Sequence, residues 1–147
     1  MKSKNIAKII SIVFFGASLI LAGLWYYNLK NYKTVEIGGQ KFFVKLVQTP
    51  KEKALGLSWR SDIKENEGML FSFEKSGEYS FWMKGMKFDL DILWIEEGKI
   101  AYIAKNIAYN SLETIDPKIK ADKVLEIKAG MADKFGFKIG DSVKIFY

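Results

Sequence analysis

"FWMKGMKFDLDILWI", residues 81–95, sets two carboxylates two positions apart inside an apolar, aromatic-rich run. Its second half alternates branched and aromatic side chains in the manner of a half-buried strand. In an extended chain Asp89 and Asp91 point to one face, roughly 6.5 to 7 Å apart, and Leu93 and Ile95 continue that face. Leu90, Ile92 and Trp94 take the other. A carboxylate among such neighbours requires a partner if it is buried, and Arg60 as a bidentate fork or Lys84 as a point charge can supply one. The doublet is therefore expected to hold neighbouring segments by a salt bridge or a turn cap. By the same parity Ser80, Trp82 and Lys84 share a face opposite Tyr79, Phe81 and Met83, which makes Trp82 the ring best placed to meet a ligand.

Working outward, "TVEIGGQKFFVKLVQ" predicts two strands joined at Gly38-Gly39. Thr49, Pro50 and Glu52 form a capping box with proline at the first helical position, so a short helix should follow and stop near Gly56. "SDIKENEG" is a polar loop. "MLFSFE" and "YSFWMKGM" predict strands separated at Lys75-Ser76-Gly77, and "FDLDILWI" pairs with "KIAYIAKNIAY" around Glu97-Gly98. "NSLETIDPKIKAD" predicts a surface connection. "KVLEIKAG" is a strand leading to a helical turn at "MADKFGF", and "KIGDSVKIFY" is a closing strand. The expected class is α+β and β-rich: a curled antiparallel sheet or partial barrel of about eight short strands with two short helices.

The chain has 147 residues and contains neither cysteine nor histidine, which excludes disulfides, thiolate nucleophiles, imidazole bases and the usual zinc spheres. Its net charge of +6 is unevenly placed. Lys2, Lys4, Lys8, Lys30 and Lys33 precede Thr34 and no acid does, leaving 18 basic against 17 acidic side chains, net +1, from Thr34 onward. The globular part thus lacks the basic stripe that phosphate contacts demand, and no nucleic-acid partner is expected. Residues 9–29 carry no charge and would make roughly 31 Å of helix, enough to cross a bilayer. Flanking lysines and Trp25, Tyr26 and Tyr27 complete the pattern of an uncleaved membrane anchor, favoured over a cleaved signal peptide. The expected organisation is an anchor and linker over 1–33 and one globular domain over 34–147. The membrane would be a partner through this single-pass helix, with the domain outside the cytoplasm.

Five landmarks, "GLSWR" (56–60), "EGMLFSF" (67–73), "FWMK" (81–84), "LDILWI" (90–95) and "VLEIKAGMADKFGFKIGD" (124–141), resemble the prokaryotic family called domain of unknown function 192. The resemblance implies a compact β-rich domain of unresolved activity, often preceded by a signal or anchor. It matches recurrent polar positions at Arg60, Lys84, Asp91 and Glu126. Gly85 departs from the asparagine usual there, and Asp89 from a proline or small residue.

These residues support three expectations. The first is a binding or accessory module for a small ligand or envelope partner on a concave face around Arg60, Trp82, Lys84 and Asp91, with Glu126 a further candidate. The second is an envelope carbohydrate or peptide hydrolase using Asp91 or Glu126 as acid and base. The third is a purely structural interaction domain. Oxygen ligation of a hard cation by the two aspartates with Glu126 lacks the dense acidic loop of calcium sites, and Met69, Met83 and Met86 lack a clustered thioether pattern, so no metal or cofactor is expected.

Overall fold

The computed structural model describes the backbone of residues 2–147 and the side chains of 12–26 and 31–147. It divides into two compact units, Met1–Asn31 and Tyr32–Tyr147. The first contains helix α1 (Lys2–Asn31). Among the described residues no helix is long and apolar enough to cross a membrane. This overturns the expected transmembrane helix and the single-pass localisation built on it. Lys2, Lys4, Lys8, Tyr27 and Lys30 of the anchor pattern lie outside the residues whose side chains are described.

The second unit is built on a seven-stranded sheet in the order β6-β5-β8-β3-β2-β1-β9, with a separate β4-β7 pair. Its strands are β1 (Tyr32–Ile37), β2 (Gln40–Val47), β3 (Glu67–Glu78), β4 (Phe81–Trp82), β5 (Leu90–Glu96), β6 (Lys99–Ile107), β7 (Thr114–Ile115), β8 (Lys120–Lys128) and β9 (Val143–Phe146). Two short helices, α2 (Pro50–Leu55) and α3 (Met131–Lys134), complete it. The sheet curls until its two edge strands meet. A bridge joins Lys99 to Ser142, the Val143 N–H donates to the Gly98 carbonyl at 2.8 Å, and the Ile100 N–H donates to the Asp141 carbonyl at 3.0 Å. Closure of this kind removes exposed edges that would otherwise template pairing with other chains.

Strand alternation divides the apolar residues between two cores. Leu70, Leu93, Ile95, Leu125 and Ile127 face the barrel interior, which Phe42, Met131, Ala132 and Phe137 fill. Met69, Phe71, Ile92, Trp94 and Val124 face outward and are covered by Leu57, Ile63, Met83 and Phe88. The helix at Pro50 forms as its capping box predicts: the Glu52 N–H donates to Thr49 Oγ1, and the Thr49 N–H to Glu52 Oε2. This helix carries the chain from β2 to β3, which pair in parallel. That pairing departs from the purely antiparallel sheet expected. Strand β3 also continues through Lys75-Ser76-Gly77, because a register shift between Ser72 and Gly77 absorbs the extra residues against β8. "YSFWMKGM" contributes only the two residues of β4. Its backbone groups go elsewhere: the Tyr79 carbonyl accepts from Trp94 Nε1 at 2.7 Å, and the Met83 carbonyl accepts from the Met86 N–H in a turn.

Asp91 is wholly buried on the interior face, and its partners are main-chain donors, neither Arg60 nor Lys84. Its Oδ1 accepts the Asn106 N–H at 2.7 Å and its Oδ2 accepts the Ala132 N–H at 2.8 Å. Asn106, at φ 53°, lies in a register shift of β6 opposite Asp91, so its N–H is turned out of the ladder toward the carboxylate. Asp89, exposed and just before β5, accepts the Tyr109 N–H at Oδ1 at 2.8 Å. The doublet therefore ties β5 to the end of β6, to the segment after it and to the start of α3.

Two consequences follow for stability. Asp91→Asn turns an acceptor into a donor facing a donor, and should destabilise the chain by about 2–4 kcal/mol in denaturant unfolding; an unchanged midpoint would refute the clamp. At Gly68 an added Cβ would lie 2.4 Å from the Glu126 carbonyl oxygen, which belongs to the paired strand and cannot swing away. Gly68→Ala should therefore lower stability by about 2 kcal/mol or more, and a neutral result would mean that β3 and β8 are not so closely apposed.

Candidate functional site

Among the described residues two charged side chains are withdrawn from solvent, Asp91 at 0% and Glu126 at 5% exposure. They share neither a face nor a fate. Leu125 and Ile127 point into the barrel, so Glu126, between them on β8, points outward. Its cross-strand neighbours are Met69 on β3 and Ile92 on β5, both buried. Glu126 Oε2 has no hydrogen-bond partner among the described residues. Burial among apolar neighbours pushes its carboxyl up to about 8, so it is largely neutral at pH 7.

Glu126 lines a cleft of about 280 Å³ on the outer face of the sheet. One side is the helix and turn from Pro50 to Ser58, and the other is the segment Tyr79 to Met86, with Phe71 and Phe73 of β3 between them. Each wall is fixed by identifiable contacts. Phe71 and Phe81 meet edge to face at 4.9 Å, and Phe81 meets Trp94 at 5.6 Å. The rings of Phe73 and Tyr79 stack at 3.5 Å, and Lys53 Nζ lies 4.2 Å from the centroid of Phe73. Partial burial lowers the Lys53 pKa, against an opposing influence of Glu74. Trp82 is 54% exposed and forms a wall shared with a second, more open hollow that also holds Lys84, Tyr109 and Leu112.

The five sequence candidates are therefore not one constellation. Trp82, Lys84 and Glu126 line the cleft. Arg60 lies in another hollow with Lys64 and Glu67, donates from Nη1 to Glu67 Oε2 at 3.3 Å and stands 5.3 Å from the Trp59 ring. Asp91 lies behind the sheet. A concave face uniting Arg60 and Asp91 with Trp82 and Lys84 does not form, and Asp91 and Glu126 cannot act together on one substrate or one cation, because the β-sheet separates them. Lys53, Phe71, Phe73 and Tyr79 are lining residues that the sequence reading did not single out as site residues. The alternation of Met69, Phe71 and Phe73 on one face of β3 was the available signal.

The raised Glu126 carboxyl makes stability depend on pH with a definite sign. Below about pH 4.5 it is protonated in both folded and unfolded chains. Between there and about 8 the unfolded chain releases the proton while the folded chain retains it, so stability falls as pH rises and the loss persists above. At about 1.4 kcal/mol per unit the span from 4.5 to about 8 sets an upper bound of ~5 kcal/mol. Glu126→Gln, which cannot ionise, should flatten the decline in melting temperature across this window and be more stable than the parent at its alkaline end. Parallel pH profiles for the two chains would contradict the burial of an unpaired acid.

Comparison with known proteins places this geometry in a family. No curated protein matches the chain significantly. The crystal structure of a protein provisionally described as a transcription regulator from Sinorhizobium meliloti 1021 is similar, with 29% identity and a TM-score of 0.73, covering 77% of this chain and 92% of that one. A protein of unknown function from Novosphingobium aromaticivorans DSM 12444 is similar at 30% identity and a TM-score of 0.71, covering 77% of this chain and 83% of its own. The family DUF192, described as "Uncharacterized ACR", matches residues 33–145, nearly the whole of the β-rich unit. The chain belongs to the domain of unknown function 192 family.

Proposed function

We propose that the β-rich unit is a binding module for a small, partly apolar ligand held in the cleft over Glu126. The observation that carries this reading is the Glu126 carboxyl itself: 5% exposed, unpartnered at Oε2, and set in a cleft wall rather than in closed core. An unpaired buried acid lowers stability, and such groups are retained at functional sites more often than in scaffolds. The neutral carboxyl can both donate and accept one hydrogen bond, which fixes a ligand's orientation, while Phe71, Phe73, Phe81 and Trp82 supply apolar surface. Main-chain donors satisfy both oxygens of Asp91, which leaves it to the scaffold.

A second reading is favoured by one observation. A carboxyl titrating near 8 is protonated at neutral pH, as a general acid must be. Of the two carboxyls expected for a hydrolase, Asp91 is buried behind the sheet with both oxygens engaged, so Glu126 alone would act, with a substrate group or a water. Binding is the reading that needs no further residue.

Screening a library of small fragments against the full chain, by ligand-observed NMR and by the fluorescence of the tryptophans, tests the proposal. Fragments should compete for one site, and Glu126→Ala and Trp82→Ala should each weaken them by about tenfold or more, with the fold retained by circular dichroism. Fragments that bind equally to both variants, or a cleft that takes none, would leave the structural interaction domain as the better account.

A further inference from the structure

The charges lining the cleft are unequal. Lys53 and Lys84 are cationic, Glu126 is the carboxyl of the lining, and no aspartate reaches it. Since burial holds Glu126 largely neutral at pH 7, the lining carries a formal excess of positive charge. The two lysines are not equivalent. Lys53 lies over the Phe73 ring and has Glu74 in its electrostatic neighbourhood, so part of its charge is already balanced. Lys84 is exposed and, like several other surface lysines, forms no ion pair among the described residues; unlike them it stands in the wall of this cleft. A cationic side chain at the mouth of an aromatic cleft, without a carboxylate of its own, is complementary to an anion arriving from solvent.

The size of the cleft limits what that anion is attached to. At about 280 Å³ it lies just below the roughly 300–1,000 Å³ range of sites for drug-sized ligands, so it accommodates a body of single-ring dimensions. The rings of Phe71, Phe81 and Trp82 are suited to a flat or branched apolar body, and the Glu126 carboxyl at the wall can donate its proton to an oxygen of the ligand. A ligand amine would relieve Glu126 but would enter past two lysines; a ligand anion is favoured by both lysines and meets an acid that is not itself charged.

We propose that the cleft takes a small organic acid, a monocarboxylate on an aromatic or branched aliphatic body, with its carboxylate directed to Lys84 and an oxygen within reach of Glu126. This rests on the reading of the cleft as a binding site and adds the chemical class of its occupant. It carries a pH signature. The groups that bear on the bound anion are Lys53 from α2, Tyr79 and Lys84 from the segment after β3, Glu74 beside Lys53, and Glu126 from β8. Of these Glu126 loses its proton near 8, and the carboxylate so formed repels the ligand, so affinity should fall as pH rises through that value.

The test uses the full chain and three probes of nearly equal shape: 3-phenylpropanoate, 3-phenylpropanamide and 3-phenylpropylamine, compared by calorimetry and NMR titration at neutral pH. The acid should bind about tenfold or more tightly than the amide, and the amine most weakly. Lys84→Gln should abolish the preference for acid over amide while leaving the amide within about twofold. Glu126→Gln should retain the acid and remove its loss of affinity between roughly pH 7 and 9. The amine binding most tightly, or the preference for acid surviving in Lys84→Gln, would overturn the proposal. If the cleft binds library fragments but none of the three probes, the organic-acid assignment falls and the binding site stands; if it binds nothing, both fall.

Discussion

The carboxylate of Asp91, held by the main-chain N–H groups of Asn106 and Ala132, is the interaction around which the β-rich unit is arranged. It ties the start of β5 to the bulged end of β6, where the ladder between these strands shifts register, and to the first turn of α3, which lies outside the sheet. Carboxyl oxygens bound to main-chain donors make strong hydrogen bonds, and Asp91 makes them wholly buried. The same strand parity that sends Asp91 inward sends Ile92 and Trp94 outward, and Glu126 lies beside Ile92 on that outer face. One sheet thus separates a carboxylate whose oxygens are satisfied from a carboxyl that has an oxygen without a partner.

The proposed binding role rests on that separation. A wholly buried acid with a donor on each oxygen is closed to a ligand, and an acid in a cleft wall with an unpartnered oxygen has hydrogen-bonding capacity to offer. Glu126 is kept unpaired by its surroundings: Met69 and Ile92 flank it across the strands, and Arg60, the arginine of the chain, is occupied by Glu67 in a different hollow. The cleft above it is framed by an element with strong local signals, the capped helix α2, and by one with weak ones, the segment 79–86. That segment is held by the indole of Trp94 reaching the Tyr79 carbonyl and by the edge-to-face packing of Phe81.

Features governed by local rules were legible in the sequence. The capping box at Thr49 and Glu52, the hairpins at Gly38-Gly39 and Glu97-Gly98, and the facing of Asp91, Leu93 and Ile95 all follow from side-chain chemistry and period-two alternation. What was not legible depends on partners distant in sequence. The parallel pairing of β2 with β3 requires the crossover through α2 to fold back, and the passage of β3 through Gly77 requires β8 to accept a bulge. The donors to Asp91 are backbone groups, invisible to any search for arginine or lysine. Residues 9–29 read as a bilayer span on hydropathy, yet among the described residues no helix is long and apolar enough to be one. Gly85 is explained by conformation: at φ 77° it occupies the left-handed region, where glycine is the residue best tolerated.

The central claim, that the sheet leaves Glu126 alone with its proton while Asp91 is fully engaged, is tested most directly by NMR titration of the side-chain carboxyl carbons. Glutamate labelled with carbon-13 would be followed across the pH range, with Glu126→Gln assigning its resonance. One glutamate should titrate with a midpoint near 8 and vanish from the spectrum of the variant. If every glutamate titrates in the ordinary carboxylate range, Glu126 is solvated or paired, and the site described over it does not exist.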